Sequence, residues 1–279
     1  MPPRISIITP SYRQLEWLKL CASSVADQNG VRVEHIVQDA GTGAELDEWA
    51  SQQPGLKFYV EKDAGMYDAI NRGLRKATGE ICAYLNCDEQ YLPHALSRVD
   101  AAFRNNSEID VLLAGTLVVD GRGHYMCSRP PLKPLLRDLR AGRMYNLSCS
   151  IFFRAELFRE KKLFFDPALR IIGDLDWLRR AIKAQARVET LDVFTSTFSD
   201  LGTNLALSAS GKAESTGSPE SVLHFLSYAA TTTAHRLRRL LAGHYSLRPF
   251  DYSIYTLEQA QTRQTFHVRQ PTGVWRNRL

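Results

Sequence analysis

Glu61–Pro93 reads EKDAGMYDAINRGLRKATGEICAYLNCDEQYLP. The stretch divides into a polar loop, an amphipathic segment, a turn, an apolar run and a pair of acids. Met66, Ile70, Leu74 and Ala77 recur at the spacing of one helical face, so a helix is expected there. Thr78-Gly79 is expected to end it, because glycine can take the left-handed conformation just past a helix terminus. Ile81–Leu85 is apolar without strict alternation, the pattern of a strand covered on both faces. Such a strand delivers Asn86, Asp88 and Glu89 to its carboxyl end, where open α/β sheets bind ligands. Two acids beside an amide suit a hard divalent cation, Mg²⁺ or Mn²⁺, that carries phosphates. Asp88 and Glu89 are therefore the candidate metal ligands.

The same logic recurs on either side. Ile5–Ile8 is an apolar run that ends in Thr9-Pro10-Ser11-Tyr12, and Val33–Val37 is another that ends in Gln38-Asp39. Between them, Trp17, Leu18, Cys21 and Val25 fall roughly on one helical face. Alternation of strand and helix at this length predicts an α/β protein with a mostly parallel sheet flanked by helices. A polar end on one strand is the ordinary mark of a solvent-exposed turn. Three such ends, with paired acids on the last, point to one binding edge.

Further along, Asp110–Val119 is apolar and rich in β-formers. Asp120-Gly121 is a hairpin turn signal, with His124–Cys127 as the returning strand. Pro130, Pro131 and Pro134 mark a loop, and Phe152 and Phe153 read as core. Ile171–Arg180 is IIGDLDWLRR, in which Asp174 and Asp176 open a helical pattern carrying Leu178, Ile182 and Ala186. An acid at a helix start has a structural explanation, as a cap and as a partner of the helix dipole.

At 279 residues the chain can bury a large core and hold one main domain with an appendage. Five cysteines (21, 82, 87, 127 and 149), with no C-x-x-C pair, read as reduced thiols. No apolar run approaches the roughly 18–20 residues of a membrane-crossing helix. Met1-Pro2-Pro3-Arg4 leads directly into a strand, so no signal peptide is expected. No G-x-G-x-x-G follows the first strand and no G-x-x-x-x-G-K-[ST] occurs, which excludes the common dinucleotide and P-loop signatures. From Ser210 onward there are nine Lys or Arg against four Asp or Glu, a surplus equal to the whole formal charge of +5. Ser208–Ser221 is rich in Ser, Gly and Ala and reads as a linker. The expected organisation is an α/β domain over 1–207, a linker over 208–221 and a basic, mainly helical extension over 222–279. Val222–Leu241 reads as a helix with Leu223, Leu226, Ala230 and Leu237 beside His235, Arg236, Arg238 and Arg239. Two readings stay open for it: a helix lying on an anionic membrane surface, or one packed on the main domain with its basic face in water. The basic segment carries no nucleic-acid-binding motif, so no nucleic acid partner is expected.

The ordered motifs ISIITPSY (5–12), HIVQD (35–39), DAGMYDAINRG (63–73), ATGEI (77–81) and LNCDE (85–89) resemble those of the family-2 glycosyltransferases of the GT-A fold. The nearest likeness is to bacterial enzymes that build cell-surface polysaccharides. The resemblance covers about residues 4 to 205. It implies that Thr9, Pro10, Ser11 and Tyr12 meet the base and ribose of a nucleotide, and that Asp39 holds a uracil-like edge. The family's D-x-D metal region falls on Asn86-Cys87-Asp88. Asn86 replaces the first acid, which leaves Asp88 as main metal ligand, through the donor diphosphate, with Glu89 as helper. Asp68 and Asn71 resemble donor-site residues, while Asp63 can also start the helix. Asp174 corresponds to the general base and Asp176 to a supporting acid or acceptor contact. Ser148-Cys149 stands where many relatives carry His-Gln. Phe198–Asn204 resembles F-x-x-G-G-x-S, with only Gly202 of the glycine pair.

The implied function is inverting, metal-dependent transfer of a sugar from a nucleoside-diphosphate sugar to a hydroxyl of a glycan or lipid-linked acceptor. The implied location is cytoplasmic, peripheral at the inner face of the plasma membrane. Two alternatives stay open. A sugar nucleotidyltransferase would usually carry a glycine-rich basic loop after the first strand, where this chain has TPSYRQ. A non-catalytic scaffold subunit finds its support in Asn86.

Overall fold

A computed structural model describes residues 4–202 and 222–275, the side chains of 222–231 excepted. The chain runs β1 (Ile5–Ser11), α1 (Leu15–Ala26), β2 (Val33–Asp39), α2 (Ala44–Ser51), β3 (Leu56–Val60), α3 (Met66–Lys76), β4 (Ile81–Tyr84) and β5 (Glu89–Tyr91). It continues with α4 (Ala95–Asn105), β6 (Val111–Asp120), β7 (Tyr125–Arg129), α5 (Leu136–Arg140), a 3-10 turn (Ser148–Ser150), β8 (Ile151–Arg154) and α6 (Glu156–Arg159). It closes with α7 (Gly173–Lys183), β9 (Val188–Asp200), α8 (Val222–Leu241), β10 (Phe250–Ile254) and β11 (Gln264–Val268).

Nine strands form one sheet in the order β3-β2-β1-β4-β8-β6-β9-β5, with β7 paired to β6. The first four are parallel; β8 then runs antiparallel to both β4 and β6, β9 parallel to β6, and β5 antiparallel to β9. Period-two alternation sorts β1 between two cores. Ile8 joins Ile36, Ile70, Leu74 and Trp177 on one face, and Ile5 and Ile7 join Cys21, Val25, Leu96 and Phe152 on the other. Phe152 and Phe153, expected as core, are buried on opposite faces. The five cysteines are buried and none forms a disulfide.

The expected helix over Met66–Ala77 is α3, which buries Ile70 and Leu74. Its end differs from expectation. Gly79 does not adopt positive φ, and the chain leaves α3 through an extended Ala77. Glycine is needed at 79 for close approach, since a Cβ there would lie 2.8 Å from the Ser6 amide nitrogen. At Gly73 a Cβ would lie 2.5 Å from Ile8 Cγ2, so α3 packs directly on β1. The hairpin expected at Asp120-Gly121 is β6–β7, its turn held by Asp120, which accepts from the amides of Arg122 and His124.

The linker expected at 208–221 lies outside the described residues, as do Thr203 and Asn204. The extension beyond it is not mainly helical: α8 is followed by an antiparallel hairpin, β10–β11. Tyr252, Ile254 and Val268 of that hairpin share a core with Leu92, Leu117 and Val119. Arg263 clamps it to α1, bonding Asp27 at 2.6 and 2.8 Å, and Gln90 exchanges bonds with the Tyr255 backbone at 2.8 and 2.9 Å. The hairpin was hidden in sequence because FDYSI and QTFHV are short and weakly alternating, and they become strands by packing on β6 and β7.

Candidate active site

The strand ends do meet. Ser11 registers against Asp39, the Leu85 amide donates to Ile8 at 2.9 Å, and Cys87 Sγ donates to the Pro10 carbonyl at 3.3 Å. The loop over Asn86–Glu89 therefore lies across the ends of β1 and β4. It is held from the far side by Ser199, which donates to the Asp88 carbonyl at 2.6 Å.

Not every predicted residue faces this edge. Thr9 is turned inward by the alternation of β1; its hydroxyl shares a hydrogen bond with His35 at 2.9 Å and is fully buried. Burial pushes His35 down to about 3, so that pair is neutral and structural. Cys87 is likewise core, packed with Leu18, Val37 and Leu46. Pro10 is partly exposed. Ser11 is buried with its hydroxyl unpartnered. Tyr12 is 53% exposed at the strand end, with the Arg13 guanidinium 4.9 Å from its ring centre. Asp39 is fully buried, and its carboxylate accepts from the amides of Gly41 (2.8 Å) and Thr42 (2.6 Å) and from the Thr42 hydroxyl (2.7 Å). In this state Asp39 shapes the loop after β2.

Asn71 also departs from its expected place. Its amide exchanges two bonds with the Phe165 backbone, at 2.8 and 2.9 Å, and ties α3 to the segment leading to α7. Asp68 accepts from the Ala64 amide at 3.1 Å and pairs with Arg72 at 3.1 Å, so it closes the loop before α3. Asp63 accepts from the Gly65 amide at 2.9 Å in the same loop.

The two acid pairs have unequal members. Glu89 is fully buried at the start of β5, accepting from the Asn86 amide at 2.8 Å and from Ser148 at 3.4 Å. Burial, and then the charge of Asp88, push its carboxyl up to about 8. Asp88 is less enclosed and is also raised by burial. Among the described residues no group of three or more His, Cys, Asp or Glu converges. The chain thus offers Asp88 and, behind it, Glu89; Mg²⁺ and Mn²⁺ accept such a sparse set because phosphate oxygens and water complete the shell. A cation there would also relieve two raised, neighbouring carboxyls, so the residues fit one.

In the second pair, Asp176 is spent on its own helix, meeting Arg179 and Arg180 at 2.7 Å each, which hold it below the usual carboxylate range despite its burial. Among the described residues Asp174 has no cation partner. Burial pushes it up to about 6, against the Leu175 amide, which donates to it at 2.8 Å, and the Tyr67 hydroxyl.

Sequence reasoning missed two phenols that organise the site. The Tyr67 hydroxyl accepts from the Asp174 amide at 3.3 Å and donates to the Ile171 carbonyl at 3.1 Å. Its ring stacks on Phe165 and lies where a Cβ on Gly173 would collide, at 2.5 Å. Tyr67 lies one residue off the apolar stripe of α3, so helical spacing gave no reason to bury it. Tyr84 ends β4 and is pushed well above its ordinary value by burial and then by the charges of Asp174, Tyr67 and Glu89. The Tyr84 ring packs edge-on against Phe165, on which Tyr67 also stacks, so the end of β4 is joined to the start of α7 through these three rings.

A curled, mostly parallel sheet carrying acids at its strand ends, flanked by helices, is the GT-A fold of nucleotide-sugar transferases. The sequence model of glycosyl transferase family 2 matches residues 6–163, and the chain belongs to that family. The poly(ribitol-phosphate) β-N-acetylglucosaminyltransferase TarS of Staphylococcus aureus is 24% identical over 195 residues, covering 67% of this chain and 34% of TarS. The uncharacterized glycosyltransferase EpsJ of Bacillus subtilis is 21% identical over 206 residues, covering 69% of this chain and 60% of EpsJ. The chain therefore spans from a third to three fifths of these relatives. The crystal structure of TarS 1–349 with UDP-GlcNAc superposes with a TM-score of 0.56 at 20% identity, covering 74% of this chain and 61% of that one. The mannosyltransferase PcManGT of Pyrobaculum calidifontis, solved with GDP-Man and Mn²⁺, superposes with a TM-score of 0.53 at 18% identity, covering 71% and 57%. Both likenesses show the fold.

Proposed function

We propose that the protein is an inverting, divalent-metal-dependent glycosyltransferase. It would move a sugar from a nucleoside-diphosphate sugar to a hydroxyl of a glycan or lipid-linked acceptor, in the synthesis of a surface polysaccharide. The observation that carries this reading is the link from the end of β4 to the start of α7: Tyr84 and Tyr67 both pack on the Phe165 ring, and the Tyr67 hydroxyl accepts from the Asp174 amide. Solved relatives of the same fold hold UDP-GlcNAc, or GDP-Man with Mn²⁺, which supports a nucleotide-sugar donor.

Asp174 would take the proton of the acceptor hydroxyl as its oxygen bonds to the anomeric carbon and the bond to the diphosphate breaks. A carboxyl near 6 is ionised at neutral pH yet more basic than an ordinary aspartate, which suits that task. One base facing one leaving group gives a single displacement and hence inversion; a retaining path would need a second carboxylate as nucleophile. A cation held by Asp88 would neutralise the charge growing on the departing diphosphate. Tyr12, exposed at the end of β1, would offer its ring to the base.

Peripheral attachment at the inner face of the plasma membrane is part of the proposal. No described helix is long and apolar enough to cross a membrane. On α8 the basic residues behave oppositely to a simple amphipathic pattern: Arg238 pairs inward with Asp138 at 2.9 Å, while Leu237, Leu240 and Leu241 are 53%, 58% and 78% exposed. With exposed Arg236 beside them, these leucines suit an anionic lipid surface. Replacing all three with Glu should abolish sedimentation with anionic vesicles. Unchanged sedimentation would leave α8 a packing element. Truncation at 210 is unsuitable, because it would remove the hairpin from the core.

The primary test is calorimetric titration with UDP, GDP and dTDP, each with and without Mn²⁺, followed by product analysis with the matching nucleotide sugars. Metal-dependent binding of one nucleotide and release of nucleoside diphosphate are expected. Release of pyrophosphate would identify a nucleotidyltransferase. Absence of any binding would favour the scaffold reading, for which Asn86 and the inward-turned Glu89 are the supporting features.

A further inference from the structure

Among the described residues, eight buried side-chain polar atoms lack a hydrogen-bond partner, and six of them lie in one cluster. They are Asp138 Oδ1 on α5, Tyr145 Oη and Asn146 Nδ2 in the loop after it, His235 Nδ1 and Arg239 Nε on α8, and His244 Nδ1 just beyond. The cluster is contiguous. The Tyr145 ring lies 5.6 Å from the rings of both His235 and His244, and the guanidiniums of Arg129 and Arg239 sit 3.9 and 4.4 Å from its centre. Arg238 pairs with Asp138 at 2.9 Å, and His235 stands 3.8 Å from the same carboxylate, beyond hydrogen-bond reach.

A buried polar group left bare is costly, and six side by side are not the resting arrangement of a packed interior. Something must answer them, and the chemistry says what. Asn146 Nδ2 and Arg239 Nε can only donate, the phenol and the two imidazoles can donate, and Asp138 Oδ1 alone can only accept. Charge leans the same way: among the described residues, Arg137, Arg238 and Arg239 stand against Asp138 and Asp192. Burial pushes His244 down to about 4 and lowers His235, so both rings are neutral and keep one N–H each to give. Donor excess with a positive field calls for an anion rich in acceptors. Water, with two donors of its own, would leave the charge unanswered.

The place is informative. Asn146 is two residues before Ser148, which donates to Glu89, and two residues of chain span at most about 7 Å. The cluster therefore adjoins the site at the end of β4, on the side of α5 and α7 and away from the β1–β2 edge.

We infer that the Tyr145–Arg239–His244 cluster binds a phosphoryl group, carried by the acceptor next to the hydroxyl that is glycosylated. The inference rests on the transferase reading for the word acceptor; the anion site itself does not.

The test uses the full chain, first alone and then with UDP and Mn²⁺ filling the donor site. It is titrated by calorimetry and ³¹P NMR with inorganic phosphate and with octyl phosphate. Saturable binding that persists with UDP bound is expected. Arg239→Gln and Asn146→Asp should each weaken it about tenfold or more, with UDP affinity unchanged. The second variant is isosteric, so it reads the site even if the first disturbs the docking of α8. Tighter binding of octyl phosphate would assign the group to a lipid phosphate, and equal binding to a phosphate without a lipid tail. No saturable binding by the unmodified chain, as a cluster filled by water alone would give, overturns the proposal. So does equal binding by both variants. Failure of UDP to bind would sink the transferase reading while the phosphate titration of the chain alone still reports on this site.

Discussion

The two acid pairs are built alike in sequence and unlike in space. Asp88-Glu89 follows a strand and Asp174-Leu175-Asp176 opens a helix, and in each pair one carboxyl is used by the fold. Asp176 is used by attraction: two arginines on its own helix hold it ionised. Glu89 is used by burial: an amide and a hydroxyl hold it, and no cation does, so its proton affinity rises. The remaining members, Asp88 and Asp174, have no cation partner among the described residues. Adjacency in sequence therefore says little about which acid acts; what decides is which one the neighbouring elements have already satisfied.

Removing the available member of each pair should do most damage. Asp174→Asn is expected to lower transfer by about 10²–10⁴-fold, the usual worth of a general base, with Mn²⁺-dependent UDP affinity unchanged. Normal turnover by that variant would end the assignment. In the unmodified protein kcat should rise with pH through about 6, because Asp174 must be ionised to act. Asp88→Asn should remove the Mn²⁺ dependence of UDP binding, seen calorimetrically as equal affinity with and without the ion.

Tyr67→Phe comes next. Losing its hydroxyl frees the start of α7, whose Asp174 amide it accepts from, and removes an influence that lowers the Asp174 carboxyl. A fall in kcat of about tenfold is expected, at one buried hydrogen bond, with the acid limb of the pH profile moved upward. A fall in kcat with an unmoved limb would reduce Tyr67 to a packing role.

Glu89→Gln tests the comparison from the other side. Glu89 keeps, when folded, a proton that the unfolded chain loses above its ordinary 4.5, so the metal-free protein should lose stability as pH rises from there towards 8. The substitution should flatten that slope in thermal melts at several pH values and leave stability near pH 5 almost unchanged. The smallest effect is expected for Asp176→Asn, about 1 kcal/mol of stability from partly exposed pairs, with turnover near normal. Its contribution is present above the ordinary value of 3.8 and fades as pH falls.

Of the parallel half of the sheet, β1, β2 and β4 were legible because each is a short apolar run, and α1 and α3 because each carries its stripe at fixed spacing; β3, half-buried at the sheet edge, carried no such run. Ile81–Leu85, Ile5–Ile8 and Met66–Ala77 need no partner to be recognised. The second half was less so. β8 runs against its neighbours β4 and β6, and β5 is three residues long and exists because β9 pairs with it. For the site, motif order located Asp88 and Asp174, while Thr9 and Asn71 were placed by strand alternation and by a backbone 94 residues away.

Period and order in the sequence determined three of the sheet's first four strands, β1, β2 and β4, the helix before β4 and the positions of both acid pairs, because those depend on interactions a few residues apart. Tertiary structure alone decided which acid of each pair is satisfied, that Tyr84 and Tyr67 meet on Phe165 and that α8 turns Arg238 and Arg239 inward. Burial and hydrogen-bond partners are set by residues distant in the chain, and they fix a carboxyl's charge more strongly than its neighbours in sequence do.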